Sequence, residues 1–335
     1  ISPEQLVTEY VERLIRYPGA LQVLTFAAGR LRLVGVRAGG SAPLVGHPIR
    51  MLRDHLPDVE VRVVAVYRDG RSLEPGAELV LKEDDEVFFL AERDQVRRVM
   101  SELRKEDNPA KRVVIAGGGS IGFRLARMLE KTHHVKVIER DPKRARHISE
   151  VLEHAIVLHG DAADEELLIE ENIDSADVFA ALTNSEEANI LSAMLAKRLG
   201  AAKVMALINK PSYAELMESG SIDVAISPQS VTIGSLLAHV RRGDIVRVHS
   251  LKHGAAEAME AIAHSEGGRS RVVGVAVGEI ALPDGARIGA IVRDQKVIMT
   301  QDNTVVEEGD HVIIFLADRR HVEQVERLFM TATPR

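Results

Sequence analysis

The chain has 335 residues, 45% of them hydrophobic, with 50 acids against 43 bases and a net charge of −7. That excess of acid argues against nonspecific nucleic-acid binding, which relies on neutralising phosphates, and 3% aromatics without tryptophan disfavour stacking platforms for single strands. The absence of cysteine excludes disulfide frameworks, thiolate zinc sites and cysteine nucleophiles, and no run approaches the ~20 apolar residues of a membrane helix.

Ser2-Pro3 starts a predicted helix, an N-cap followed by proline at the first helical position. Leu6, Val7, Tyr10, Val11, Leu14 and Ile15 form a broad apolar stripe on it. Two uses fit the stripe: packing within its own domain, or a crossover helix that pairs with another copy. Strands are expected at Leu31–Val36, Arg62–Arg68 and Val87–Ala91, with helices near His47–His55 and at Asp94–Arg104. The charged, proline-ended stretch Lys105-Glu106-Asp107-Asn108-Pro109 reads as a domain boundary.

Val113-Val114-Ile115-Ala116 then reads as a doubly buried strand. It runs into Gly117-Gly118-Gly119-Ser120-Ile121-Gly122, a G-x-G-x-x-G, followed by a helix pattern and the strand Val135–Ile138 ending at Glu139. Gly117 permits the tight turn, Gly119 lets backbone approach a pyrophosphate, and Gly122 lets helix and strand pack closely. The amides and dipole of the helix start favour phosphate. Glu139 stands about 20 residues past Gly119, where an acid accepts hydrogen bonds from ribose hydroxyls, so NAD(H) is favoured over NADP(H); the adjacent Arg140 softens that preference.

Strand and helix go on alternating. Ile156–Leu158 precedes Gly160-Asp161-Ala162, Val178–Leu182 precedes Thr183-Asn184, Val204–Ile208 precedes Asn209-Lys210-Pro211, and Val224–Ile226 closes the set. Helices are expected at Asp164–Glu171, Glu186–Leu199 and Ser212–Glu218. This order implies a parallel sheet with right-handed crossovers. Asp161, Thr183 and Asn184 lie at strand ends and suit contacts to the adenosine half, with helix capping as the alternative for Asp161, Asn184 and Ser185.

Ile226-Ser227-Pro228 repeats Ile1-Ser2-Pro3, an offset of 225 residues. At the same offset Arg68-Asp69 returns as Arg293-Asp294 and Asp85 as Asp310. Phe89-Leu90-Ala91 and Phe315-Leu316-Ala317 match after a one-residue insertion, and a polar helix, Arg319–Phe329, again follows. The second crossover helix would carry Val231, Leu236, Leu237 and Val240. A softer boundary is expected near His249–Arg271, where Gly254, Gly267 and Gly268 interrupt the pattern. Residues 111–223 have no partner copy, so an equivalent stretch of ~110 residues is expected before Ile1, in a two-copy protein of about 450 residues.

Catalytic constellations are poor. His133, His134, His147, His154 and His159 follow no metal-ligand spacing, and neither a G-x-S-x-G elbow nor an obvious carboxylate pair occurs. No residue is expected to be catalytic or to bind metal.

The Gly117–Gly122 loop, Glu139, Gly160-Asp161-Ala162, Thr183-Asn184 with Glu187 and Asn189, and the Ile226-Ser227-Pro228 crossover together resemble the regulator-of-K⁺-conductance (RCK) family. The resemblance covers essentially the whole chain. It implies an α/β fold in which a Rossmann-like parallel sheet is flanked by two small α+β RCK C-terminal domains. The domains would be residues 1–107, a crossover helix plus the first C-terminal domain; 108–226, the nucleotide-binding domain; and 227–335, the second crossover helix and C-terminal domain. The two-copy plan also implies a first nucleotide-binding domain, which would precede residue 1. The resemblance also implies phosphate contacts at Gly119, Ser120, Ile121 and Gly122, a ribose contact at Glu139, and adenine-side contacts at Asp161 and Ala162. The expected function is a gating subunit, a ring of four copies, peripheral on the cytoplasmic face of the membrane beneath an integral membrane potassium transporter subunit. It would bind NAD(H), with ATP or ADP as further candidates for the same crevice. The competing readings are an NAD-dependent oxidoreductase and a regulatory module of another cation channel or exchanger.

Overall fold

The computed structural model describes residues 2–105, 109–210, 212–213, 221–233, 244–251, 256–265 and 271–329. The chain forms two compact units: residues 1–18 with 108–232, and residues 19–107 with 233–335.

The chain opens with α1 (Pro3–Arg16), where the Ser2 hydroxyl accepts from the Gln5 amide and Pro3 takes a first-turn position that needs no amide partner. The first repeat copy follows: β1 (Ala20–Phe26), β2 (Leu31–Arg37), α2 (Met51–His55), β3 (Val61–Arg68), β4 (Arg71–Leu73), β5 (Glu86–Glu92) and α3 (Val96–Leu103). Its strands make an antiparallel sheet in the order β1-β2-β5-β3-β4. Positive φ at Asp69 (50°) and Gly70 (74°) gives β3–β4 the twist a two-residue hairpin needs.

Next comes the α/β unit: β6 (Arg112–Ala116), α4 (Ser120–Leu129), β7 (His134–Glu139), α5 (Pro142–Val151), β8 (Ile156–His159), α6 (Glu165–Glu170), β9 (Val178–Ala181), α7 (Glu186–Arg198), β10 (Lys203–Leu207) and β11 (Val224–Ile226). The six strands are parallel in the order β11-β10-β9-β6-β7-β8. This is the doubly wound dinucleotide-binding order, and it reverses direction between β6 and β9. The core on one face gathers Ala116, Ile138, Leu168, Phe179, Ala193 and Val204. Helix α5 has no counterpart among the expected helices, because only Ala145 and Ile148 on it are buried. Ser212 and Tyr213 are helical, and the remainder of the expected helix to Glu218 lies outside the described residues.

Helix α1 belongs to this unit and packs against α4. Its stripe is buried there, with Val11 and Leu14 at 0% exposure, and the Leu14 carbonyl accepts from Lys203 Nζ at 3.3 Å. In the first copy the stripe therefore packs on an element of the same chain more than 100 residues away. In the second copy the helix after Ser227 begins the same way, with the Ser227 hydroxyl accepting from the Ser230 amide at 3.2 Å. Leu236, Leu237 and Val240 lie outside the described residues.

The second copy contains β12 (Ile245–Leu251), β13 (Ala256–Ile262), β14 (Ala286–Arg293), β15 (Lys296–Met299), β16 (His311–Leu316) and α8 (Val322–Phe329), with sheet order β12-β13-β16-β14-β15. Each strand starts 225 residues after its counterpart. The boundary expected near His249–Arg271 is corrected: β12 and β13 run through it as sheet strands, and Gly254, Gly267 and Gly268 lie outside the described residues. The expected one-residue insertion before the last strand is also corrected. Arg32 pairs with Ala91 and Glu257 with Leu316, so Leu90, not Phe89, is the counterpart of Phe315. The extra residue falls after β16, where α8 starts 226 residues after α3.

The two copies pair within their unit by an approximate two-fold relation, β3 lying against its counterpart β14. Arg62 donates to the Thr300 carbonyl, and its counterpart Arg287 donates to both carboxylate oxygens of Glu74 at 2.9 Å. The dyad is imperfect: the position of Glu74 is Met299 in the second copy, so that ion pair is made once. The buried Glu260 carboxylate accepts from the Ala27 amide at 3.0 Å and lies 2.6 Å from His311 Nδ1. It thereby anchors a turn in which Ala27 and Ala28 both adopt positive φ, a conformation costly for residues with a Cβ.

Candidate functional site

The C-terminal ends of β6, β7, β8 and β9 bring together Gly117–Gly122, Glu139–Arg140, Asp161–Ala162 and Thr183–Asn184. Parallel sheets of this order carry their ligands at these ends, beside the strand-order reversal.

The glycine loop divides its tasks by position. Gly117 has φ +102°. A Cβ on Gly122 would lie 1.9 Å from the Gly117 carbonyl oxygen, so α4 can approach the loop only without one. Around Gly119 there is nothing within 4 Å of where a Cβ would be. Gly119 is also the N-cap of α4, and no side chain caps that helix end. Free amides and the positive end of the helix dipole therefore face open space, an arrangement suited to a phosphate. Ser120 and Ile121 form the first turn of α4 behind it.

Gly118 is closely surrounded, a constraint that the fingerprint does not contain. A Cβ there would meet Ile148 at 2.5 Å and Glu139 Oε2 at 3.1 Å. Its only sequence signal is the unbroken Gly117-Gly118-Gly119 run. Glu139 does double duty: Oε2 accepts from the Gly118 amide at 2.7 Å and Oε1 from the Asp141 amide at 2.8 Å. The carboxylate thus ties the loop to the start of α5, and its remaining lone pairs are available to ribose hydroxyls. Arg140 is exposed next to it, with its carbonyl 3.2 Å from His159 Nε2.

Asp161 accepts from the Ala163 amide at 2.9 Å, a local turn, and Asp164 is the true cap of α6. Ala162 is partly buried beside the core. The Thr183 amide and hydroxyl both donate to Asn189 Oδ1, at 2.8 and 2.6 Å. Asn189 Nδ2 in turn donates to the carbonyls of Thr183 and Leu207, each at 3.1 Å. Fully buried, Asn189 therefore clamps the ends of β9 and β10. Ser185, not Asn184, caps α7 by accepting from the Ala188 amide at 3.2 Å. Asn184 is exposed at the crevice rim.

Glu130, at the far end of α4, is a support that sequence reasoning passed over. Burial pushes its carboxyl up, but three amides at the turn before β8 outweigh it, those of His154, Ala155 and Glu153, and hold the group below the ordinary glutamate value. No apolar or glycine pattern marks such a residue.

Comparison with known proteins gives the family. Residues 113–228 match the TrkA-N domain, and residues 33–104 and 269–330 each match the TrkA-C domain. The Trk system potassium uptake protein TrkA of Halomonas elongata is 55% identical over 329 residues, 98% of this chain and 72% of that protein. The chain belongs to the TrkA family. The TrkA of Vibrio alginolyticus is 54% identical and that of Haemophilus influenzae 45% identical, over the same shares of each chain. Among solved structures, the GsuK channel is similar in fold at a TM-score of 0.52 and 20% identity, spanning 97% of this chain and 57% of that one. A GsuK channel bound to NAD is similar at 0.50 and 19%. In the terms of the TrkA family, the glycine loop, Glu139 and Asn189 all lie in the TrkA-N segment, and both repeat copies contain a TrkA-C segment.

Proposed function

We propose that the chain is the nucleotide-sensing regulatory subunit of a potassium uptake system. The observation that carries this is the uncapped amide end of α4 opening onto clear space at Gly119, beside a carboxylate at the end of β7. The crevice takes the adenosine diphosphate half of NAD(H). Gly119, Ser120, Ile121 and Gly122 meet the diphosphate, and Glu139 meets the ribose. Arg140, Asp161, Ala162, Thr183 and Asn184 border the adenosine side. ATP and ADP share that half, so they compete for the same crevice.

The chain acts as a regulator rather than an enzyme, in keeping with relatives named for the Trk potassium uptake system. Its partner is the integral membrane subunit of that system, of the TrkH or TrkG kind, and it works as a ring of four copies at the cytoplasmic face. Among the described residues no helix is long and apolar enough to cross a membrane, which supports a peripheral placement. Regulation requires that nucleotide bind two ring conformations with different affinity, since equal affinity shifts nothing.

The test is NADH titration by fluorescence, competition with ATP, and absorbance at the reduced nicotinamide band to follow turnover. Saturable binding reversed by ATP without oxidation is expected. Steady oxidation would assign the chain to the oxidoreductases, and absence of binding would remove the ligand assignment. Complementation of a strain deficient in potassium uptake tests the transport role separately.

A further inference from the structure

Arg144 stands in the first turn of α5, outside the glycine fingerprint, yet it touches the loop directly. Its Nε donates to the Gly118 carbonyl at 2.7 Å. Its guanidinium carbon lies 5.4 Å from the centre of the Phe123 ring on α4, a cation–π arrangement. Its own amide donates to Asp141 Oδ1 at 2.7 Å, the cap of α5. Glu139 accepts from both the Asp141 and Gly118 amides. The contacts close a circuit from the glycine loop through Glu139 and Asp141 to Arg144 and back to the loop.

The circuit holds both polar backbone atoms of Gly118, the amide by an acid and the carbonyl by a base. The Gly118 carbonyl and the Gly119 amide belong to one planar trans peptide and point in opposite directions. Fixing the carbonyl on Arg144 therefore fixes where the Gly119 amide points, at the open end of α4.

We propose that Arg144 is a positioning residue for the diphosphate of the bound nucleotide, acting through the Gly118–Gly119 peptide. This rests on the nucleotide-binding reading of the crevice. A charge-assisted hydrogen bond on the peptide makes its orientation a property of the unliganded protein, so binding spends little energy on ordering the loop.

The test compares wild type with Arg144→Met, which keeps the stem and loses the donors, and Arg144→Lys, which keeps the charge and loses the planar fork. NADH and ADP are titrated by fluorescence and competition, adenosine by saturation-transfer NMR, and thermal midpoints are recorded. Arg144→Met is expected to weaken NADH and ADP by about tenfold or more, to leave adenosine within about twofold, and to keep its midpoint. Arg144→Lys is expected to fall between, and it makes the same comparison if the Met variant does not fold. NADH affinity unchanged in both variants, or adenosine weakened as much as NADH, would overturn the proposal. If wild type itself binds none of the three, the nucleotide reading fails first and this inference falls with it.

Discussion

The Arg68 guanidinium holds the fully buried Asp85 carboxylate with two 2.7 Å hydrogen bonds, from Nε and Nη2. The Val80 carbonyl and the Lys82 amide complete the network. The second copy rebuilds it atom for atom, with Arg293 on Asp310, the Val305 carbonyl and the Glu307 amide. The hydrogen bonds to Asp85 and to Asp310 raise the pKa of Arg68 and Arg293, respectively. A motif repeated in sequence is thus one structural joint used twice, tying the third strand of each copy to the turn before its last strand.

Removing one partner of such a joint leaves a buried charge uncompensated. Arg68→Met and Arg293→Met are each expected to cost about 3–5 kcal/mol, read as a lower urea midpoint. A loss below about 1 kcal/mol in both would show that the joint is incidental to stability.

Glu130 makes stability depend on pH. Its folded carboxyl is held below the ordinary value although burial opposes this, because the amides of His154, Ala155 and Glu153 favour the charged form. Its contribution is therefore complete above the ordinary glutamate value and is lost as pH falls through the lower folded value. Glu130→Gln is expected to cost about 1–3 kcal/mol at neutral pH and progressively less in acid. Parallel stability curves for wild type and variant across that range would contradict the assignment.

The glycines separate folding from binding. Gly122→Ala places a Cβ against the Gly117 carbonyl and is expected to lower the thermal midpoint strongly. Gly119→Ala meets nothing in the folded chain at φ −65°, so its midpoint should move little, while its Cβ enters the space a phosphate needs. NADH affinity of Gly119→Ala close to wild type, measured by titration, would place the diphosphate elsewhere.

Glu139→Ala removes an acceptor for ribose and the tie between loop and α5 at once. NADH affinity is expected to fall by about tenfold or more, with nucleotide control of potassium uptake falling in parallel. A tenfold loss of binding with uptake control intact would separate the crevice from regulation.

Much of the α/β unit was legible because its signals are local. Continuous apolar runs at Val113–Ala116 and Val204–Ile208 mark strands buried on both faces, and Gly117–Gly122 carries its own turn chemistry. Helix α5 was not legible, since Lys143, Arg144, Arg146 and His147 leave it only two buried positions. Arg144 and Glu130 went unseen for the same reason: a polar side chain that serves a distant backbone atom leaves no period in the sequence. Strand β1 was missed in the first copy, where Gln22 and Thr25 break its apolar pattern.

The sequence by itself determined the duplication, the alternation of strand and helix, and the glycine loop with Glu139, because each rests on residues within one turn, one strand or one repeat. Only the tertiary structure decided that α1 is spent on α4, that Arg287 meets Glu74 while Arg62 meets a carbonyl, and that Arg144 grips Gly118. These contacts join residues 26 to 238 positions apart, and which distant surfaces meet is set by how whole faces bury against one another.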